Sequence, residues 1–99
     1  MPFVYIVRCA DGSLYTGYAE DVGRRVAAHN AGTGARYTAG RRPVRLVFSE
    51  ACESRGDALR REHQLKGLTR VAKEAVIAAF RSAARRRRRT KNSQAVPVT

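Results

Sequence analysis

Residues 3–18 read Phe3-Val4-Tyr5-Ile6-Val7-Arg8-Cys9-Ala10-Asp11-Gly12-Ser13-Leu14-Tyr15-Thr16-Gly17-Tyr18, two runs rich in aromatic and β-branched side chains around a turn sequence. Such runs suit pleated strands, and Asp11-Gly12 between them predicts a β-hairpin. Loop length sets which side chains share a face, because a slip of one residue moves every side chain across the sheet. A two-residue Asp11-Gly12 turn pairs Tyr5 with Tyr18 and sends Tyr5 and Tyr15 to opposite faces. A three-residue Ala10-Asp11-Gly12 loop, with Gly12 left-handed, pairs Tyr5 with Gly17 and Val7 with Tyr15, and puts both tyrosines on one face. Local sequence leaves both registers open.

Downstream, Asp21 is suited to N-cap a helix running to about Asn30 and stopped by Gly32, with Val22 and Val26 as its apolar stripe. Arg25 and His29 are four apart and share a face of that helix. Gly32 to Pro43 reads as a basic, glycine-rich loop carrying Arg36, Arg41 and Arg42. A strand follows at about residues 45–51, centred on Leu46, Val47 and Phe48. Ser54 and Asp57 resemble a capping box for a second helix through Lys66, with Ala58, Leu59 and Leu65 facing inward and Glu62 in the middle of that stripe. Thr69 is placed to cap a third helix to about Phe80, packing through Val76, Ile77 and Phe80. The order ββαβαα predicts an α+β domain over residues 1–80, a small three-stranded antiparallel sheet flanked by helices, followed by a basic C-terminal tail over 81–99.

Ninety-nine residues allow one compact domain, and an apolar fraction of 43% is enough to fold it. The net charge is +12, and seventeen of the twenty basic residues are arginine. Seven positive charges and no acid lie in residues 81–99, which leaves 13 positive and 8 negative charges, +5, on residues 1–80. The run Arg85, Arg86, Arg87, Arg88, Arg89 repels itself and is expected to stay solvated as an arm with sequence-independent affinity for polyanions. Polyanions are the natural partners for such a charge, nucleic acid (DNA or RNA) first and an anionic membrane surface second. Arg36, Arg41, Arg42 and Lys66 join the arm as candidate contacts. No apolar run approaches a membrane span, and Met1 to Arg8 does not fit a signal peptide, so a cytoplasmic location is expected. Cys9 and Cys52 lack metal-ligand spacing and read as reduced packing residues. Oligomeric state is not readable.

A carboxylate on a core-facing stripe is costly unless it is paired or holds a cation, which singles out Glu62. Tyr5 and Tyr15 are ten residues apart, Tyr15 and Arg25 another ten, and Arg25 and His29 four. Val4-Tyr5-Ile6, Tyr15-Thr16-Gly17, Arg25, His29 and Glu62 at these intervals resemble the GIY-YIG endonuclease superfamily over about residues 2–80. The Gly34-Ala35-Arg36-Tyr37-Thr38 loop and the Ala58-Leu59-Arg60-Arg61-Glu62 segment are similar to its small stand-alone bacterial branch. Tyr18 stands where some relatives have Lys.

The resemblance implies hydrolysis of DNA phosphodiester bonds with one divalent ion, Mg²⁺ or Mn²⁺, held by Glu62, in a structure-selective reaction of repair or recombination. It implies that Arg25 clamps the phosphate, and that Tyr15 is the general base or orients the water while Tyr5 and His29 hydrogen-bond around it. A tyrosine near its ordinary pKa of ~10 is about one part in a thousand phenolate at neutral pH, whereas a histidine near ~6.5 is the easier base. Both assignments stay open. The resemblance also requires Tyr5 and Tyr15 to face one cleft, which selects the three-residue hairpin loop. A non-catalytic DNA- or RNA-binding module on the same fold is the main alternative, and an interaction protein with a basic arm a third.

Overall fold

The computed structural model describes the backbone of residues 1–95 and the side chains of residues 1–88, so the last four residues of the basic tail and the Arg89 side chain lie outside the described ones. Strands β1 (Phe3–Arg8) and β2 (Leu14–Ala19) form the hairpin in the three-residue register, with Tyr5 opposite Gly17 and Val7 opposite Tyr15. Gly12 closes the turn with φ 85°, donating to the Cys9 carbonyl at 2.9 Å, while the Cys9 N–H donates to the Ser13 carbonyl at 2.8 Å. A left-handed residue at this place favours glycine because it lacks Cβ.

The third strand, β3 (Arg45–Ala51), pairs antiparallel with β1, so the sheet order is β2-β1-β3. β1 is therefore central and sealed on both sides: Val4, Tyr5, Ile6 and Val7 are all at most 1% exposed. The register shifts along β3, with Ile6 opposite Phe48 but Val7 opposite Leu46, which leaves Val47 as an extra bulged residue. The bulge corrects the expected apolar centre of this strand. Val47 and Phe48 are both buried, whereas Leu46 is 42% exposed.

Helix α1 (Val22–Ala31) starts where Asp21 accepts a hydrogen bond from the Arg24 N–H at 3.0 Å and ends at left-handed Gly32. The loop after it contains one helical turn, α2 (Arg36–Ala39), that periodicity does not reveal. α3 (Arg55–Lys66) is capped by Ser54, and α4 (Arg70–Ala95) by Thr69, whose Oγ1 accepts from Ala72 N–H at 3.1 Å. Leu59, expected to face inward, is 41% exposed. The inward row of α3 is Ala58, Glu62 and Leu65, spaced four and three, and Leu59 is rotated about 100° from Ala58. α4 does not stop near Phe80; it continues to Ala95. Residues 81–95 contain neither Gly nor Pro, and Ala and Arg are strong helix formers, so propensity outweighs the repulsion within the arginine run.

Strand alternation divides the core. Val4, Ile6 and Phe48 pack with Ala58, Leu65 and Ile77 of α3 and α4 on one face, where Phe80 meets Phe48 edge-on at 5.5 Å. Tyr5, Val7, Cys9 and Val44 form a second cluster under Val22 and Val26 of α1. Cys9 and Cys52 are both buried as free thiols. Among the described residues no helix is long and apolar enough to cross a membrane.

One ion-pair network ties the start of α4 to the hairpin. Arg8 grips Glu74 through both terminal nitrogens at 2.9 and 2.7 Å, and Arg70 donates to Glu74 at 3.1 Å and to the Gly12 carbonyl at 2.9 Å. Hydrogen bonds from Arg8 are the main reason that the Glu74 carboxyl is held down at about 2 rather than its ordinary 4.5. A depressed folded-state pKa means that this contribution is complete above the ordinary value and disappears as pH falls toward about 2. Glu74→Gln should therefore lower the melting temperature at neutral pH, with the wild-type and variant curves converging near pH 2; thermal melts across that range check it.

Candidate active site

Tyr5 sits on the face of central β1 that α1 covers, and the hairpin register places Gly17 opposite it. The Tyr5 ring lies over that glycine so closely that a Cβ at residue 17 would stand 2.7 Å from the phenol oxygen. Glycine is required there for this close approach. The Tyr5 hydroxyl meets Nε2 of His29, on the last turn of α1, at 2.7 Å. His29 is completely buried.

The loop after α1 completes the surroundings of His29. Its Nδ1 lies 2.7 Å from Thr38 Oγ1, and Thr38 Oγ1 also lies 3.1 Å from the Ala35 carbonyl. A carbonyl only accepts, so the Thr38 hydroxyl proton goes to Ala35 and its oxygen accepts from His29 Nδ1–H. That leaves Nε2 as an acceptor for the Tyr5 O–H. The direction of the whole chain, Tyr5 to His29 to Thr38 to Ala35, follows from its last carbonyl. Gly34 lets the loop close on the imidazole, since a Cβ there would fall 2.5 Å from Nδ1. Asn30 anchors the far end of the loop through paired hydrogen bonds with the Val44 backbone, at 2.7 and 3.0 Å.

Burial pushes the Tyr5 phenol up, with Arg25 opposing and the Tyr15 and Glu62 charges adding to the rise. Burial, then the positive charge of Arg25, pushes His29 down. Both trends favour a neutral phenol against a neutral imidazole at physiological pH. Tyr15, half-buried, touches His29 ring edge to face at 5.2 Å. Arg25 is exposed on α1 and borders an open depression of about 480 Å³ with Tyr18, Asp21 and Arg24. Glu62 has a side chain only 17% exposed and pairs with Lys66 at 3.4 Å.

Tyr5, Tyr15, Arg25 and His29 are thus gathered around one buried hydrogen bond, and Glu62 acts on the same phenol through its charge. The basic candidates are dispersed. Lys66 is occupied by Glu62. Arg41 is held by Asp11 at 3.1 Å and by the Tyr37 carbonyl at 2.8 Å, and lies 4.0 Å above the Tyr37 ring. Arg42 donates to the Ala39 carbonyl at 2.8 Å, Arg36 is exposed on α2, and Arg85 to Arg88 lie along α4. Arg55 donates to the Tyr18 hydroxyl at 3.1 Å, bringing a cation beside that tyrosine.

Sequence reasoning misses Thr38, Gly34 and Tyr37, the last stacked on Tyr15 at 6.0 Å. Their signal is the Gly34-Ala35-Arg36-Tyr37-Thr38 segment itself, legible as a loop but not as a wrapping for His29. Among the described residues no group of three or more His, Cys, Asp and Glu is placed to hold a metal. Glu62 is a single hard oxygen donor, which fits a divalent ion held mostly by water and substrate rather than a closed protein cage, with Lys66 as the counter-charge that such an ion would displace.

The chain matches the family model described as the GIY-YIG catalytic domain over residues 1–75. It is 57% identical over 75 residues to a UPF0213 protein of Staphylococcus aureus strain Mu3, covering 76% of this chain and 92% of that one. Among solved structures it is similar to the UPF0213 protein of Bacillus halodurans, at 48% identity and TM-score 0.52, over 80% of this chain and 85% of that one. It is also similar to a protein of E. faecalis, at 43% identity and TM-score 0.55, over 80% and 84% of the two chains.

Two measurements check the site. Gly17→Ala should displace the Tyr5 phenol from His29 and cost about 1–3 kcal/mol of stability in denaturant unfolding, the usual penalty of overpacking. Long-range ¹⁵N NMR should show His29 as the Nδ1–H tautomer, uncharged to well below its ordinary pKa of ~6.5.

Proposed function

This chain belongs to the GIY-YIG family, and from that premise we propose that it is a divalent-metal-dependent endonuclease hydrolysing DNA phosphodiester bonds, with a structure-selective role in repair or recombination. The observation that carries the reading is the Tyr5–His29 hydrogen bond at 2.7 Å, with the charges of both Arg25 and Glu62 bearing on the same phenol. Phosphodiester hydrolysis needs a cation for the growing negative charge, a group to take the proton of water and a carboxylate for metal. In this reading residues 1–80 are the nuclease domain that supplies these groups, and residues 81–99 are a basic appendage.

Glu62 would hold one Mg²⁺ or Mn²⁺, which when bound neutralises charge at the scissile phosphate. Arg25 offers its guanidinium fork to phosphate oxygens from the exposed face of α1. Tyr15, whose ring lies 5.2 Å from that of His29, orients or deprotonates the attacking water. Tyr5 offers a second route, in which its oxygen accepts the water proton while its own proton moves to His29 Nε2. That transfer creates an imidazolium facing Arg25, which the falling pKa of His29 opposes until an anionic phosphate is bound. DNA is the proposed substrate and the cytoplasm the proposed location.

Metal-stimulated cutting of branched and duplex DNA should fall by at least ~10²-fold in Glu62→Gln. Binding with no cutting by the wild type would favour the non-catalytic module instead. The wild-type rate should rise with pH between about 6 and 10. A profile that becomes flat in His29→Ala would assign the proton transfer to the Tyr5–His29 route, and one that keeps its rise would assign it to Tyr15.

A further inference from the structure

A second basic feature lies on the opposite edge of the sheet from β2. Between the free edge of β3 and α4 runs a groove of about 320 Å³, lined by Arg45, Leu46, Phe80, Arg81, Arg85 and Arg88, among others. Arg81, Arg85 and Arg88 are spaced four and three, so they project from one face of α4 toward Arg45. Among the described residues none of these four arginines has an ion pair with a carboxylate. Like charges at helical spacing cost free energy, which a bound anion relieves. The floor is apolar: Leu46 is 42% exposed, and the half-buried ring of Phe80 packs on Phe48.

We infer that this groove binds single-stranded nucleic acid, its phosphates on Arg45, Arg81, Arg85 and Arg88 and an unpaired base or sugar on Leu46 and Phe80. The inference rests on the nuclease reading for its biological sense but not for its chemistry. Arginine forks match phosphate oxygens in pairs, and an apolar floor suits unstacked bases, which a duplex keeps inside. An acidic peptide added as a strand fits less well, because the β3 bulge at Val47 distorts the edge at the groove itself. A membrane fits less well too, since the apolar residues form a floor rather than a protruding ridge.

Fluorescence anisotropy on the full chain in EDTA, with a labelled single-stranded oligonucleotide and its blunt duplex, tests this without cleavage. Arg45→Glu/Arg81→Glu should weaken single-strand binding by roughly tenfold or more and lower the log–log salt slope by about 1.4, two phosphate contacts' worth. Leu46→Ser should weaken the single strand while leaving the duplex unchanged. Melting curves matching the wild type confirm intact folding. In Mg²⁺, cutting of a saturating short substrate by the double variant should stay at the wild-type rate, so that failure of the groove and failure of the nuclease reading are told apart. Unchanged affinity and slope, equal losses for single strand and duplex, or displacement by polyglutamate or phosphatidylserine vesicles better than by unlabelled single strand would each overturn the inference.

Discussion

The hydrogen bond from the Tyr5 phenol to His29 Nε2 is the contact on which the rest of the site depends. It joins the central strand to the last turn of α1 through groups that are at most 1% exposed. Making it demands three separate features: a hairpin register that brings Gly17 under the phenol, a loop with Gly34 against the imidazole, and Thr38 to fix the tautomer. Each is a local decision of the chain, and each would be ordinary alone. An unpartnered polar atom at this depth costs about 1–3 kcal/mol, so the three features stand or fall together.

The two sides of the sheet divide the labour. The face under α1 carries the polar chain around His29, and the face under α3 and α4 carries most of the aliphatic core. Glu62 takes the middle position of the inward row of α3, where an apolar residue would add to the core. A carboxylate kept there at 17% side-chain exposure, with Lys66 as its counter-charge, is tolerated at a cost in burial. Functional sites are where such local inconsistency is expected, which is why Glu62 enters the proposed site.

Much of this architecture is legible in the amino-acid sequence. The helix starts at Asp21 and Ser54 follow from capping chemistry, and the ββαβαα order from strand and helix periodicity. The hairpin register does not: local sequence allows two, and only the family resemblance, which needs both tyrosines in one cleft, separates them. Leu46 and Leu59 escape a pattern-based reading because a bulge and the 100° step of a helix each turn one leucine outward, which a hydrophobic run does not encode. Periodicity also gives no hint of α2 or of Thr38, because a single turn is too short to show a period. Electrostatics predicts a solvated arginine run, and Arg85 to Arg88 are exposed; what it does not predict is the helix, since backbone propensity carries α4 through the run to Ala95.

The proposed site joins Tyr5, Tyr15, Arg25, His29 and Glu62 on one phosphodiester beside a divalent cation. Paramagnetic relaxation by Mn²⁺, measured on the amide resonances of the chain with a short DNA oligonucleotide bound, tests it most directly. Selective broadening around residue 62 of α3 and around Tyr5, Tyr15 and Arg25, lost in Glu62→Gln, is the predicted result. Broadening that is uniform, centred elsewhere, or unchanged by that substitution would contradict the account.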